Sequence, residues 1–187
     1  MMDLQQDVID QTKHWIHDFV IGWNMCPFAR LVFESERIRY AVSETDEPEV
    51  LLGDFVRELR TLHESDIAQI ETSFLIHPFA LTDFYIYNDF LHVFEAARED
   101  QDLDGVIQIA SFHPHYHFAG THPDAIENFT NRSPYPMLHL LREESVARAV
   151  TDYPDIEKIP ERNMQTMRER GVPEVKPKPR IDGSGNR

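Results

Sequence analysis

The fold is decided by two apolar stretches, ETSFLIHP at residues 71–78 and VIQIASFHP at residues 106–114. Each is nearly continuously apolar and ends in a histidine followed by a proline, which is typical of strands that are covered on both faces. A third strand is predicted over residues 38–42, because apolar side chains recur there at every second position. Segments with helical apolar spacing separate the three strands, so the order β-α-β-α-β predicts the α/β class.

Further helices are predicted on both sides of this unit. Helical spacing of apolar residues predicts a helix over residues 8–23, before the first strand. After the third strand, Ser133 followed by a proline predicts the start of a helix that reaches about Val150. A last helix is expected over residues 159–170, because a glycine follows it directly.

We therefore predict a single α/β domain over residues 1–172. It would contain a small sheet of three to four strands, mostly parallel, with an N-terminal helix and two C-terminal helices. The main alternative is a mixed sheet in which residues 116–118 form an extra edge strand. Residues 173–187 contain three prolines, two glycines and no aromatic side chain, so we expect a disordered tail there.

The composition excludes several classes of protein. The chain of 187 residues has 18 Lys and Arg against 33 Asp and Glu, a net charge of −15. Binding to nucleic acid or to an anionic membrane needs a basic surface, so both are disfavoured. A single cysteine excludes an internal disulfide framework. No apolar run is long enough to span a membrane and the N-terminus does not resemble a signal peptide, so we expect a cytoplasmic protein.

Motifs of the common nucleotide-binding enzymes are missing from the sequence. It contains no glycine-rich phosphate loop and no dinucleotide fingerprint, and its only Gly-x-Gly lies in the tail at residues 183–185. Because glycines allow the backbone to approach phosphate groups, a nucleotide-dependent enzyme of a common kind is disfavoured.

The run NRSPYPMLHLLRE at residues 131–143 contains the most informative charged residues. On the predicted helix, His139 and Glu143 are four residues apart, and Arg142 shares their face. One interpretation makes His139 and Glu143 two metal ligands or an acid–base pair. The alternative is a structural Arg142–Glu143 ion pair beside a core histidine. Arg132, next to the start of this helix, could hold a carboxylate or phosphate there.

Histidines elsewhere provide further candidates. If the second and third strands are parallel, His77 and His113 lie at the carboxyl edge of the sheet, where α/β proteins bind ligands. His113, His115, His117 and His122 also form a local cluster of residues that suit zinc, copper or nickel. The alternative for each is a structural histidine or a polar loop.

Cys26 precedes a proline, and we expect it to cap a short helix that ends near Phe33. A thiol at a helix N-terminus can be activated as a nucleophile. The alternative is an inert, buried cysteine among apolar neighbours.

Several of these stretches together resemble a known bacterial family, domain of unknown function family 1415. They are NMCPFA at residues 24–29, ET at 71–72, SFHP at 111–114, Tyr116, FAGT at 118–121, Asn128, TNRSPYPMLHLLRE at 130–143 and IPERN at 159–163. The resemblance covers about residues 10–172 and implies no particular activity. It implies that the motif positions include Cys26, Glu71, His113, Asn128, Asn131, Arg132, His139, Arg142 and Glu143. His115 and His117 fall between them, which favours His113 with His139 over a four-histidine loop site.

These observations predict a small enzyme that acts on a small anionic molecule. The catalytic candidates are His113, Cys26 and Glu143, with His113 as general base or metal ligand. A divalent metal ion would be held by His113, His139 and Glu143. The side chains expected to bind the anion are Asn128, Asn131, Arg132 and Arg142. The alternatives are a non-catalytic module that binds an anion or a metal, and a protein-interaction domain whose buried charges are structural.

Overall fold

The computed structural model describes residues 3–153 and 155–173, so the predicted tail lies outside the described residues apart from Pro173. Six α-helices and four strands are found there, together with a π-helical segment at Ile16–Ile21 and 3-10 turns at Ile126–Asn131 and Ile156–Lys158. The elements are α1 (Leu4–Trp15), α2 (Ala29–Glu34), β1 (Ile38–Val42), α3 (Pro48–Glu64), β2 (Thr72–Ile76), α4 (Phe84–Glu99), β3 (Ile107–Phe112), β4 (Met137–Arg142), α5 (Glu143–Asp152) and α6 (Ile159–Arg170).

The four strands form one sheet in the order β1-β2-β4-β3. β1 pairs with β2 in parallel, whereas β4 is antiparallel to both β2 and β3. β1, β2 and β3 therefore all run in the same direction. This confirms the α/β class and the mixed sheet. The mostly parallel arrangement is wrong, because two of the three strand pairs are antiparallel. The fourth strand is also not the predicted segment at residues 116–118.

The predicted helix from Ser133 to Val150 is wrong in its first half. Residues 137–142 form β4, and only Glu143 begins a helix. The hydroxyl of Ser133 donates to the carbonyl of Tyr135 and does not cap a helix. A short apolar run such as MLHLLR fits a buried helix and a buried strand equally well, and here it forms an inner strand of the sheet.

The sheet lies between two helical layers. α3 and α4 cover one face, where Leu138 and Leu140 of β4 join the larger hydrophobic core. α1, the π-helical segment and α6 contribute to the core on the other face, where Phe74 and Met137 pack with Trp15. Side chains alternate between the two cores along each strand, so the neighbouring residues of β4 face different layers. Among the described residues, no helix is long and apolar enough to cross a membrane.

Arg142 connects the end of β4 to α3. Its guanidinium donates hydrogen bonds to the carbonyls of Leu62 at 2.5 Å, Ser65 at 2.7 Å and Ile70 at 3.2 Å. These carbonyls lie near or beyond the C-terminal end of α3, where backbone acceptors lack helical partners. The structure thus places Arg142 in a structural contact, and it shows no ion pair with Glu143 among the described residues.

Replacing Arg142 should therefore destabilise the fold more than replacing Glu143. In Arg142→Met, three backbone carbonyls lose a charged donor, and we expect the free energy of unfolding to fall by about 2–3 kcal/mol. Urea denaturation measures this loss. The control is Arg148→Met, because the exposed Arg148 makes a single hydrogen bond, to the hydroxyl of Ser145, among the described residues, and the change should alter stability by less than about 0.5 kcal/mol. An equal loss in Glu143→Gln would instead support the ion pair.

Candidate functional site

His77 and His113 meet at the carboxyl edge of the sheet, as expected from two strands that run in the same direction. Both are fully buried on the α3/α4 side. Their rings lie 5.8 and 5.0 Å from the ring of Tyr87, whose hydroxyl donates to the carbonyl of Met137. Tyr87 also accepts a hydrogen bond from the backbone N–H of Phe112, so this cluster joins α4 to β3 and β4.

Both histidines are neutral and take part in internal hydrogen bonds. Burial lowers the pKa of each to about 4. His113 donates from Nε2 to the carbonyl of Leu81 at 3.3 Å and accepts at Nδ1 from the backbone N–H of His115 at 3.0 Å. His77 donates from Nδ1 to the carbonyl of Ala80, while its buried Nε2 has no hydrogen-bond partner among the described residues. Because both ring nitrogens of His113 are occupied, neither is free to bind a metal or accept a proton from a substrate in this conformation.

The three anion-binding candidates between β3 and β4 hold that connecting loop together. The side-chain amide of Asn128 makes four hydrogen bonds, accepting two and donating two. The side-chain amide of Asn131 donates to the carbonyl of Ser111, and the backbone carbonyl of Asn131 accepts from the N–H of His113. Arg132 donates to two loop carbonyls and stacks 4.0 Å from the ring centre of Phe129. The structure thus gives all three a part in loop packing.

The three predicted metal ligands are not brought together. His113 lies on the α3/α4 side of the sheet, whereas His139 stacks on Phe74 on the opposite side. Glu143 lies at the other end of the sheet from His113, because its N–H bonds to the carbonyl of Val106 at the start of β3. The spacing that suggested a ligand pair does not apply, since β4 is extended. Within residues 3–153 and 155–173, no three His, Cys, Asp or Glu side chains are arranged to hold a metal ion, and this includes the histidine-rich loop.

Cys26 lies outside any helix, because α2 begins three residues later at Ala29. Its side chain is partly buried, and burial raises the pKa of the thiol. A thiol with a raised pKa is mostly protonated at neutral pH and is a weak nucleophile. The preceding carbonyl, of Met25, accepts a hydrogen bond from Asn163, so this segment serves to dock α6.

His139 occupies a different environment in the middle of β4. Its ring stacks on Phe74 at 4.0 Å, and Phe74 stacks in turn on Tyr40 at 6.0 Å. The hydroxyl of Thr72 donates to the carbonyl of Leu140, so the 2.7 Å contact between Thr72 and Nε2 of His139 requires Nε2 to carry the proton. Nδ1 is then an acceptor that points away from Thr72, and it has no hydrogen-bond partner among the described residues. Burial lowers the pKa of His139 to about 3, so the ring is neutral.

The surface around His139 is incompletely covered. Leu138 and Leu140, which face α3 and α4, are fully buried, but His139 and Leu141 on the other face are only partly buried. Since β4 has a strand on each side, the remaining exposure comes from the face itself. The residue paired with His139 on β3 is Ala110, which has a small side chain. α5, which starts directly after β4, has no buried residues. We call this feature the His139 recess, formed by Phe74, Ala110, Phe112, His139 and Leu141.

Sequence reasoning identified His139 but missed its partners. Thr72 and Phe74 become neighbours of His139 only through the pairing of β2 with β4. A histidine within an otherwise apolar run was the available signal, but it could be interpreted only after the run had been assigned to a strand.

The buried histidines predict a loss of stability in mild acid. The unfolded chain binds a proton at His77 and His113 near pH 6.5, whereas the folded protein does not until about pH 4. The unfolded state thus binds more protons between these values, and the free energy of unfolding should fall by about 1.4 kcal/mol per pH unit for each histidine.

Urea denaturation at several pH values between 7.5 and 4.5 measures this slope. His77→Gln should reduce it by the contribution of one histidine, whatever the effect of the substitution at neutral pH. A stability that does not change between pH 6.5 and 4.5 would contradict the neutral, buried state of these two rings.

Comparison with known proteins places the chain in one family. No curated protein and no solved structure matches it. A family model with the description "Protein of unknown function (DUF1415)" matches residues 7–177, which include all four strands, all six α-helices apart from the first residues of α1, and the His139 recess. The match confirms the resemblance seen in the sequence, and the chain belongs to this family.

Proposed function

We propose that this protein binds a small molecule in the His139 recess. The observation that carries the proposal is an uncharged imidazole in a central strand, with its proton held at Nε2 by Thr72 and its Nδ1 lone pair unused. Nδ1 is not fully buried, so a ligand can reach it from outside the protein. A ligand that donates to Nδ1 would satisfy this acceptor.

The chemistry of the recess favours a ligand with an apolar or aromatic body and one O–H or N–H donor. The partly exposed side chains of Ala110, Phe112 and Leu141 offer apolar surface, and His139 offers an acceptor. A neutral acceptor gives no attraction to an anion. Arg142, which was expected to bind one, lies in contact with backbone carbonyls at the end of β4.

Binding is favoured over acid–base catalysis at this position. An efficient general base has a pKa near the operating pH. A histidine whose pKa is about 3 is a weak base at neutral pH. The proposal is therefore a binding module, and turnover would require groups supplied by the ligand itself.

An anionic ligand at Arg132 is the second candidate. Arg132 is partly exposed, burial lowers its pKa, and it forms no ion pair with a carboxylate of the described residues. This candidate uses the loop between β3 and β4 and is separate from the His139 recess.

A ligand screen by thermal shift and NMR distinguishes the two candidates. One half of the library contains phenols, indoles and anilines, and the other contains small carboxylates and phosphates. We expect hits from the first half, with affinity about tenfold weaker in His139→Phe, because one buried hydrogen bond of about 1.4 kcal/mol is lost while the planar ring is kept. His139→Asn, which places a polar atom near the position of Nδ1, should recover part of the affinity.

The matched control is His92→Phe, since His92 is exposed on α4. It should leave the affinity unchanged. Ligands that bind His139→Phe as tightly as the wild type would contradict binding in the His139 recess. If all ligands found are carboxylates or phosphates, and Arg132→Gln abolishes their binding, the second candidate at Arg132 would be supported instead.

A further inference from the structure

The outer edge of β1 is a second open feature, independent of the proposed function. β1 lies at the end of the sheet and pairs only with β2. The N–H of Ser43 bonds to Ile76, and the carbonyl of Arg37 accepts from Thr72, so odd-numbered residues of β1 bond toward β2. The N–H and C=O groups of Ile38, Tyr40 and Val42 therefore point outward, and no backbone partner is found for them among the described residues.

This edge lacks the usual protection against strand pairing. Edge strands are commonly blocked by proline, by lysine, by a bulge or by a covering segment. β1 contains no proline, no lysine and no irregular pairing along its five residues. Its one charged side chain, Arg39, is held by Glu58 of α3 through two hydrogen bonds of 2.8 and 2.9 Å. A cleft of about 280 Å³ runs along the edge, between residues of α1 and α3.

The side chains that line this edge are close to neutral in total, unlike the strongly acidic chain. The charged residues that line the cleft are Arg39, Arg57, Asp54 and Glu58, and their charges cancel. Lys13 lies 5.2 Å from the ring centre of Tyr40 and adds one positive charge. In a protein with a net charge of −15, the side chains that line this cleft thus add no net repulsion between two copies, and the nearest unbalanced charges are the exposed Glu36 and Glu44 at the two ends of the strand.

We propose that two copies of this chain pair through antiparallel β1 strands, with a two-fold axis at Tyr40. In this register Tyr40 faces its counterpart, and Ile38 of each copy faces Val42 of the other. Apolar and aromatic cross-strand pairs of this kind stabilise sheets. The outward backbone groups of the three residues would form six hydrogen bonds and join the two sheets into one of eight strands. Self-complementarity of this kind is what a two-fold interface requires.

Light scattering and sedimentation of the full chain test the proposal. At about 0.1 mM, we expect a mass of twice the chain's 21.9 kDa, and dissociation on dilution. Raising the salt from about 0.05 M to about 0.5 M should tighten the dimer severalfold, because it screens the repulsion between two acidic chains. An interface built on ion pairs would respond in the opposite direction and would overturn the register.

Proline substitutions test the backbone pairing directly. Val42→Pro removes one outward N–H and leaves the bond from Ser43 to Ile76, and proline is tolerated where an edge N–H faces solvent. We expect a folded monomer, with affinity for a second copy reduced at least tenfold. Val42→Ala, which keeps the N–H, should remain a dimer. Ile38→Pro repeats the test at the other end of β1 and keeps it decisive if Val42→Pro fails to fold.

Three outcomes would overturn the proposal. The first is a protein that stays monomeric up to about 0.2 mM, and the second is a dimer that neither proline substitution weakens. The third is a monomer in which an added extended peptide protects the backbone amides of β1 from hydrogen exchange. The last outcome would assign the edge to a partner protein.

Discussion

The insertion of β4 between β2 and β3 is the constraint on which the rest of the structure depends. A central strand must satisfy hydrogen bonds at both edges and bury side chains on both faces, which explains the apolar run at residues 137–142. His139 is the polar exception in its centre. It is accommodated because Phe74 stacks on its ring and the hydroxyl of Thr72 accepts a hydrogen bond from its Nε2. β4 ends at Arg142, whose guanidinium donates a hydrogen bond to the carbonyl of Leu62 in α3, and α5 begins at the next residue.

The polar groups inside this fold act as hydrogen-bonding partners and carry little charge. Burial keeps His77, His113 and His139 neutral, and each donates one N–H to an oxygen within the protein. The side-chain amide of Asn128 likewise bonds within the protein, with four hydrogen bonds in the loop between β3 and β4. Side chains of a type that suggests catalysis or anion binding can thus serve as hydrogen-bond partners of the backbone instead. His77 and His139 each keep one ring nitrogen without a partner among the described residues, but that of His77 is fully buried, whereas His139 lies on a partly exposed face of the sheet.

The two proposed binding features lie on one sheet but do not overlap. The β1 edge forms the outer border of the sheet, and β2 separates it from β4 and the His139 recess. Tyr40, Phe74 and His139 form a continuous stack of rings across these three strands. A second copy at the β1 edge would therefore leave the recess open, so both features can be tested in the same protein.

The sequence by itself determined the α/β class, the three strands that share one direction, the helices between them and the family. These features depend on local periodicity and on turn residues, which act within a few positions of each other. It also indicated that His77 and His113 meet at one edge of the sheet. Only the tertiary structure decided that residues 137–142 form a strand, because a short and almost continuously apolar run has no periodicity that separates a strand from a helix. That one assignment separated His139 from His113 and Glu143, and it placed His139 beside Thr72, Phe74 and Ala110, since strand pairing joins residues that lie far apart in the chain.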